Sequence, residues 1–99
     1  MRYYFEWGPD KAKANRKKHG IDFEQASTIF IDPRMISVFD TEHDEHEDRW
    51  VTVGIDTNGI LLVVVHTFQQ LDADCCKMRI ISARKATRRE SKQYREENK

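Results

Sequence analysis

RWVTVGIDTNGILLVVVHTF, residues 49–68, decides the fold. Residues 49–56 alternate: Val51, Val53 and Ile55 point one way, Trp50 and Thr52 the other, the period of a half-buried strand. Asn58-Gly59 is a strong hairpin signal. Residues 60–68 are apolar on both faces, as a central strand is. The stretch therefore predicts an antiparallel hairpin in the middle of a sheet.

Working outward, residues 69–76 read as a loop and 77–83 as the last strand. Thr87 and Glu90 have capping-box spacing, opening a helix over about 88–97. On the other side, 35–39 reads as a strand and 40–48 as a polar loop. Asp22 with Gln25 makes a second capping-box-like pair. It opens a helix whose face carries Phe23, Ala26, Ser27 and Phe30, ended by Asp32-Pro33. Residues 3–7 read as an aromatic strand. Pro9 suits a first helical turn, and that helix runs to about Lys18 before Gly20. The predicted order is β-α-α-β-β-β-β-α. It describes an α+β domain with a largely antiparallel sheet and helices packed on one face. The 99 residues, with no repeats or linkers, are expected to form a single domain over 1–99.

Apolar residues make up only 38% of the chain, below an average domain, so the core is small and a stabilising partner is expected. No apolar run approaches a membrane span. Glu6, Gly8, Pro9 and Asp10 interrupt any signal-peptide core, so a cytoplasmic, membrane-free protein is expected. Cys75 and Cys76 are adjacent and read as reduced thiols, and no CxxC spacing offers a zinc or redox site.

Lys and Arg number 17 against 17 Asp and Glu. Net zero would argue against a nucleic-acid binder, but the distribution does not. Residues 40–48 hold six acids and no base, whereas 77–99 hold nine bases against three acids. Residues 9–20 add five bases against one acid. Local potential, not net charge, governs phosphate binding. The last helix has one large apolar residue, Tyr94. Burial alone would not hold it, so a nucleic acid, a partner or the chain's own acidic loop is expected to cover it.

Arg79, Ser82, Arg84, Lys85, Arg88 and Arg89 crowd into one short segment. Guanidinium forks grip phosphate bidentately and would stabilise a phosphorane-like transition state. Simple alternation puts Arg79 and Ser82 on opposite faces, so they share a site only if a bulge intervenes. His66 suits acid–base work near neutral pH, although its alternation partners Leu62, Val64 and Phe68 equally suit a structural imidazole. His19 lies in the last turn of its helix, where capping is the simpler role. His43 and His46 are metal ligands by type but lack a second pair at a firm spacing; no metal and no cofactor is expected. Tyr3, Trp7 and Trp50 would stack on bases or pack in the core.

FEWGPDKAKANRKKHGIDFEQASTIF (residues 5–30), DRWVTVG (48–54), LLVVVHT (61–67) and RIISARKATRRE (79–90) together resemble the BrnT family of bacterial toxins. The resemblance spans nearly the whole chain. It departs at Gly8, where the family usually has an acid, and in residues 69–76. It implies a RelE-like fold and a type II toxin that cleaves RNA and arrests growth. It also implies neutralisation by a BrnA-like ribbon-helix-helix antitoxin, the complex repressing its own promoter. Lys18, His19, His66, Arg79, Ser82 and Arg84 match at family positions. The expectation is a metal-independent endoribonuclease in which the 2′-hydroxyl attacks phosphorus. His66 (or Lys18 or His19) would move protons, with Arg79, Ser82 and Arg84 at the phosphate. Lys18, His19, Arg49, Lys85, Arg88 and Arg89 would hold RNA. The rival is a non-catalytic binding module, which needs no imidazole beside the arginines.

Overall fold

Residues 49–67 form the hairpin at the centre of the sheet. The structure, a computed structural model, describes residues 2–40 and 48–98; His43, His46 and the rest of 41–47 lie outside the described residues. Strands β3 (Arg49–Ile55) and β4 (Leu61–Thr67) pair antiparallel, with Arg49 opposite Thr67 and Ile55 opposite Leu61. The buried Asp56 organises the turn by accepting from the N–H groups of Asn58 and Ile60. Gly59 closes it at φ +81°, a conformation only glycine adopts freely. No described non-glycine residue has positive φ, so this is a type I turn closed by a left-handed glycine, not the two-residue kind.

Outward from the hairpin, β2 (Ile36–Phe39) pairs antiparallel with β3, and β6 (Cys75–Lys85) antiparallel with β4. The strand β1 (Arg2–Glu6) adds to the far side of β6 in parallel, giving the order β1-β6-β4-β3-β2. Residues 69–76, expected as loop, also contain a two-residue strand, β5 (Gln69–Gln70), beside β6. Facing Cys76 and Lys77, it lets β6 begin earlier than the expected residue 77.

The helix expected from Asp22 is shorter. Helix α2 (Phe23–Ser27) passes into a 3-10 turn, Thr28–Ile31. The expected Asp22–Gln25 capping box does not form. The Asp22 carboxylate pairs with Arg16 at 2.7 Å, and the Gln25 amide donates to Asp56, also at 2.7 Å. Both side chains take partners other than the backbone N–H groups of a capping box.

One sheet face is the dry core. Leu62 and Val64 from β4, with Cys76, Met78, Ile80 and Ala83 from β6, pack against Ile21, Phe23, Ala26, Ile29 and Phe30. Full burial of a side chain such as Phe23 or Ile29 stabilises the fold by about 1.5–3 kcal/mol. Gly54 lets the 3-10 turn approach, since a Cβ there would sit 3.1 Å from that of Ile29. Helix α1 (Pro9–His19) is pinned by buried Asn15. The Asn15 amide donates to the carbonyls of Ile21 and Ala83 and accepts from Ala83 N–H.

The predicted order of elements led to the expectation that the helices share one face of the sheet, and they do not. Helix α3 (Arg88–Glu97) lies on the opposite side, over Ile36, Val38, Val51 and Val53. These residues alternate with the ones facing α1 and α2, so the sheet is a middle layer. Side-chain tethers hold this polar helix. The Tyr94 hydroxyl donates to Asp32 at 2.6 Å, Asn98 donates to the Arg34 carbonyl, and Arg84 grips both oxygens of Glu90 at 2.7 and 2.8 Å. Glu90 also closes the expected capping box with Thr87. Burial and the bond to Asp32 push Tyr94 up to about 12.

Replacing Asn15 with Ala orphans three buried backbone groups, with an expected cost of about 2–4 kcal/mol in denaturant melts. The bond from Arg84 holds the Glu90 carboxyl at about 2, below its ordinary 4.5. Its stabilisation is therefore complete above pH 4.5 and lost as pH falls towards 2. Wild type should lose about 1 kcal/mol more than Glu90→Gln across that window, the half-exposed guanidinium being partly screened by solvent.

Candidate active site on the open sheet face

Helix α3 covers only part of its face of the sheet. The uncovered part begins at a bulge. Val65 pairs with Ser82 but the next residue, His66, pairs with Ile80, so β6 carries one residue more than β4. A bulge of this kind re-aims side chains locally. Ile80 and Ala83 thereby both face the core. Arg79 and Ser82 consequently share the other face, together with Arg84 further along.

Across β4, Arg79 meets Thr67, whose hydroxyl accepts from the Arg79 N–H at 3.1 Å. Arg49 stands opposite Thr67 from the other side. Arg49, Thr67 and Arg79 thus form one row across three strands. Beside this row opens a cleft of about 320 Å³ lined by Glu6, Asp48, Thr67, Gln69, Lys77 and Arg79, with Phe68. Arg79 is exposed, and among the described residues its guanidinium has no ion-pair partner. Lys77 reaches Glu6 at 3.5 Å.

The other candidate residues fall elsewhere. Arg84 is on the right face but is committed to Glu90 through both of its terminal nitrogens. Lys85, Arg88 and Arg89 are exposed where β6 leads into α3. Lys18 and His19 end α1, in the helix layer across the sheet from Arg79.

His66 also points away from the arginines. It is 2% exposed and stands edge-on to Phe30 at 4.9 Å. Both ring nitrogens are used. Nδ1–H donates to the Thr67 carbonyl at 2.9 Å, so Nε2 accepts from the Thr52 hydroxyl at 2.6 Å. Ser37 and Thr52 share a further bond of 2.7 Å. Burial pushes the imidazole below its ordinary 6.5 despite the bond to Thr67. This is a neutral, fully bonded ring on the dry face.

Glu6, Lys77, Thr67 and Gln69 were not singled out in the sequence. Glu6 belongs to the cleft only because β1 lies parallel to β6, with Glu6 opposite Arg79. Local sequence signals carry no trace of that pairing.

Fold and cleft together define a small α+β domain whose open sheet face carries a cleft with two carboxylates, Glu6 and Asp48, and two cations, Lys77 and Arg79. The model of the ribonuclease toxin BrnT of type II toxin–antitoxin systems matches residues 7–90, and the chain belongs to that family. The fold is similar to the 1.1 Å crystal structure of the Brucella abortus ribonuclease toxin BrnT. The likeness has a TM-score of 0.58 at 22% identity, covering 89% of this chain and 100% of that one. No curated protein matches the chain. No helix among the described residues is long and apolar enough to cross a membrane.

A buried neutral His66 must gain a charge when protonated. Its stabilisation is complete above pH 6.5 and declines as pH falls below that value. Thr52→Val, which orphans Nε2, should cost about 1–3 kcal/mol. His66→Leu should flatten the stability profile between pH 7 and 5, measured by denaturant melts at each pH.

Proposed function

We propose that this chain is a metal-independent endoribonuclease that cleaves RNA through attack of the ribose 2′-hydroxyl on the adjacent phosphate. Cleavage inhibits translation and arrests growth. The observation that carries this reading is the β6 bulge, which puts Arg79 and Ser82 on one open face. Arg49 joins that face across Thr67. Two guanidinium forks flanking a hydroxyl suit a phosphodiester and the charge that develops on it. Arg79 holds the scissile phosphate, Arg49 and Ser82 the neighbouring groups. Lys85, Arg88 and Arg89 track the flanking backbone. Arg84 acts through α3, and His66 through the core. Lys18 and His19, across the sheet, reach RNA only where it wraps the domain.

On this reading the architecture is RelE-like and the protein works in the cytoplasm. A BrnA-like ribbon-helix-helix antitoxin neutralises it, and the complex binds and represses its own promoter through the antitoxin. Membership of a type II toxin family supports an antitoxin partner. The burial of His66 removes the imidazole that would have separated a nuclease from a pure binding module. The family, a ribonuclease toxin family, favours the nuclease.

Purified protein without antitoxin should cleave RNA in EDTA, and its expression alone should arrest growth. Arg79→Ala should lower cleavage by about 100-fold or more while leaving the melting temperature within a few degrees, because the side chain is exposed. Intact RNA after incubation with folded wild type would refute the nuclease reading.

A further inference from the structure

With His66 buried, the cleft needs another source of proton transfer. Glu6 and Lys77 face each other across the parallel β1–β6 pairing, at 3.5 Å, and both line the cleft with Arg79. The two side chains are roughly half exposed, and an ion pair of that kind stabilises a fold by about 0–1 kcal/mol. Their separation exceeds that of a charge-assisted hydrogen bond, about 2.7–2.9 Å. Both side chains line the cleft and are about half exposed, so each is accessible to a ligand there. Glu6 also stands opposite Arg79 in strand register. That sets a proton acceptor beside the guanidinium assigned to the phosphate. Asp48, from the start of β3, is the other carboxylate of the cleft. It lies across β4 from β6 and has no ammonium partner among the described residues.

We infer that Glu6 and Lys77 are the catalytic proton-transfer pair, Glu6 as general base and Lys77 as general acid, an assignment that rests on the ribonuclease reading of this cleft. The 2′-hydroxyl proton passes to the Glu6 carboxylate as the 2′-oxygen bonds to phosphorus. The P–O5′ bond breaks with its electron pair on the 5′-oxygen, which takes a proton from the Lys77 ammonium. The products are a 2′,3′-cyclic phosphate and a 5′-hydroxyl. Protonated Glu6 and neutral Lys77 then exchange a proton across their 3.5 Å gap, restoring both. Protons balance within the pair, so no co-reactant is required.

The test uses the full chain, a short RNA with a mapped cleavage position, and the same RNA with sulfur replacing the bridging 5′-oxygen there. A thiolate leaves without needing a proton. Glu6→Gln should slow cleavage of both substrates by about 100-fold or more, with Glu6→Asp recovering part of the rate. Lys77→Met should slow the oxygen substrate by a similar factor of about 100 yet cleave the sulfur substrate within a few-fold of wild type. Melting temperatures near wild type for all three variants separate chemistry from folding. Wild type that cleaves while Glu6→Gln stays within a few-fold of it overturns the assignment and leaves the nuclease reading standing. So does Lys77→Met that is equally slow on both substrates. Wild type that cleaves neither RNA overturns both.

Discussion

Everything in this molecule depends on β6 having one residue more than its partner β4 needs. The early half of β6 must send Met78 and Ile80 into the core, and the late half must send Ala83 there. Unbroken alternation forbids that, because Ile80 and Ala83 are an odd number of residues apart and side chains alternate with a period of two. The bulge reconciles the halves at a small local cost in ladder hydrogen bonding. It also delivers Ser82 to the side where Arg79 lies. Packing and site formation are therefore one event on this strand.

The sheet separates two environments. On the side of α1 and α2, Thr52 and His66 are buried polar groups that the sheet contributes to a dry layer, and they satisfy each other and the backbone. Buried polar groups satisfied in this way specify register more than they add stability. On the other side, α3 is fastened at Asp32, Arg34 and Arg84. Those anchors lie towards one end of the sheet and leave the other end open. Charges of both signs meet at that open end, Glu6 and Asp48 with Lys77 and Arg79. A chain whose net charge is zero presents Arg49, Lys77 and Arg79 together because folding, not composition, decides which charges become neighbours.

Features fixed by neighbours in sequence were legible before folding was considered. The central hairpin, the Thr87–Glu90 capping box and the arginine-rich last strand all follow from local rules, and all are present. The bulge could only be framed as a condition, since nothing in residues 79–84 announces it. Alternation had already set His66 with Leu62 and Val64, and that periodic signal was the informative one. The idea of His66 as an acid or base came from residue type and from the family resemblance, not from periodicity. Asp22 and Gln25 had capping-box spacing yet found Arg16 and Asp56 instead. A cap is a default that tertiary partners override. The half of the cleft built by Glu6 was illegible because it rests on a parallel pairing between distant strands.

That parallel pairing has a consequence in time. Arg2 pairs with Cys75 and Glu6 with Arg79, so β1 finds its neighbour only after the other described strands have been made. Such long-range closure is slow relative to hairpin formation. A chain still emerging from the ribosome holds β1 without β6, and hence the cleft without one wall. The wall that Glu6 contributes is thus the last part of the cleft to be set in place.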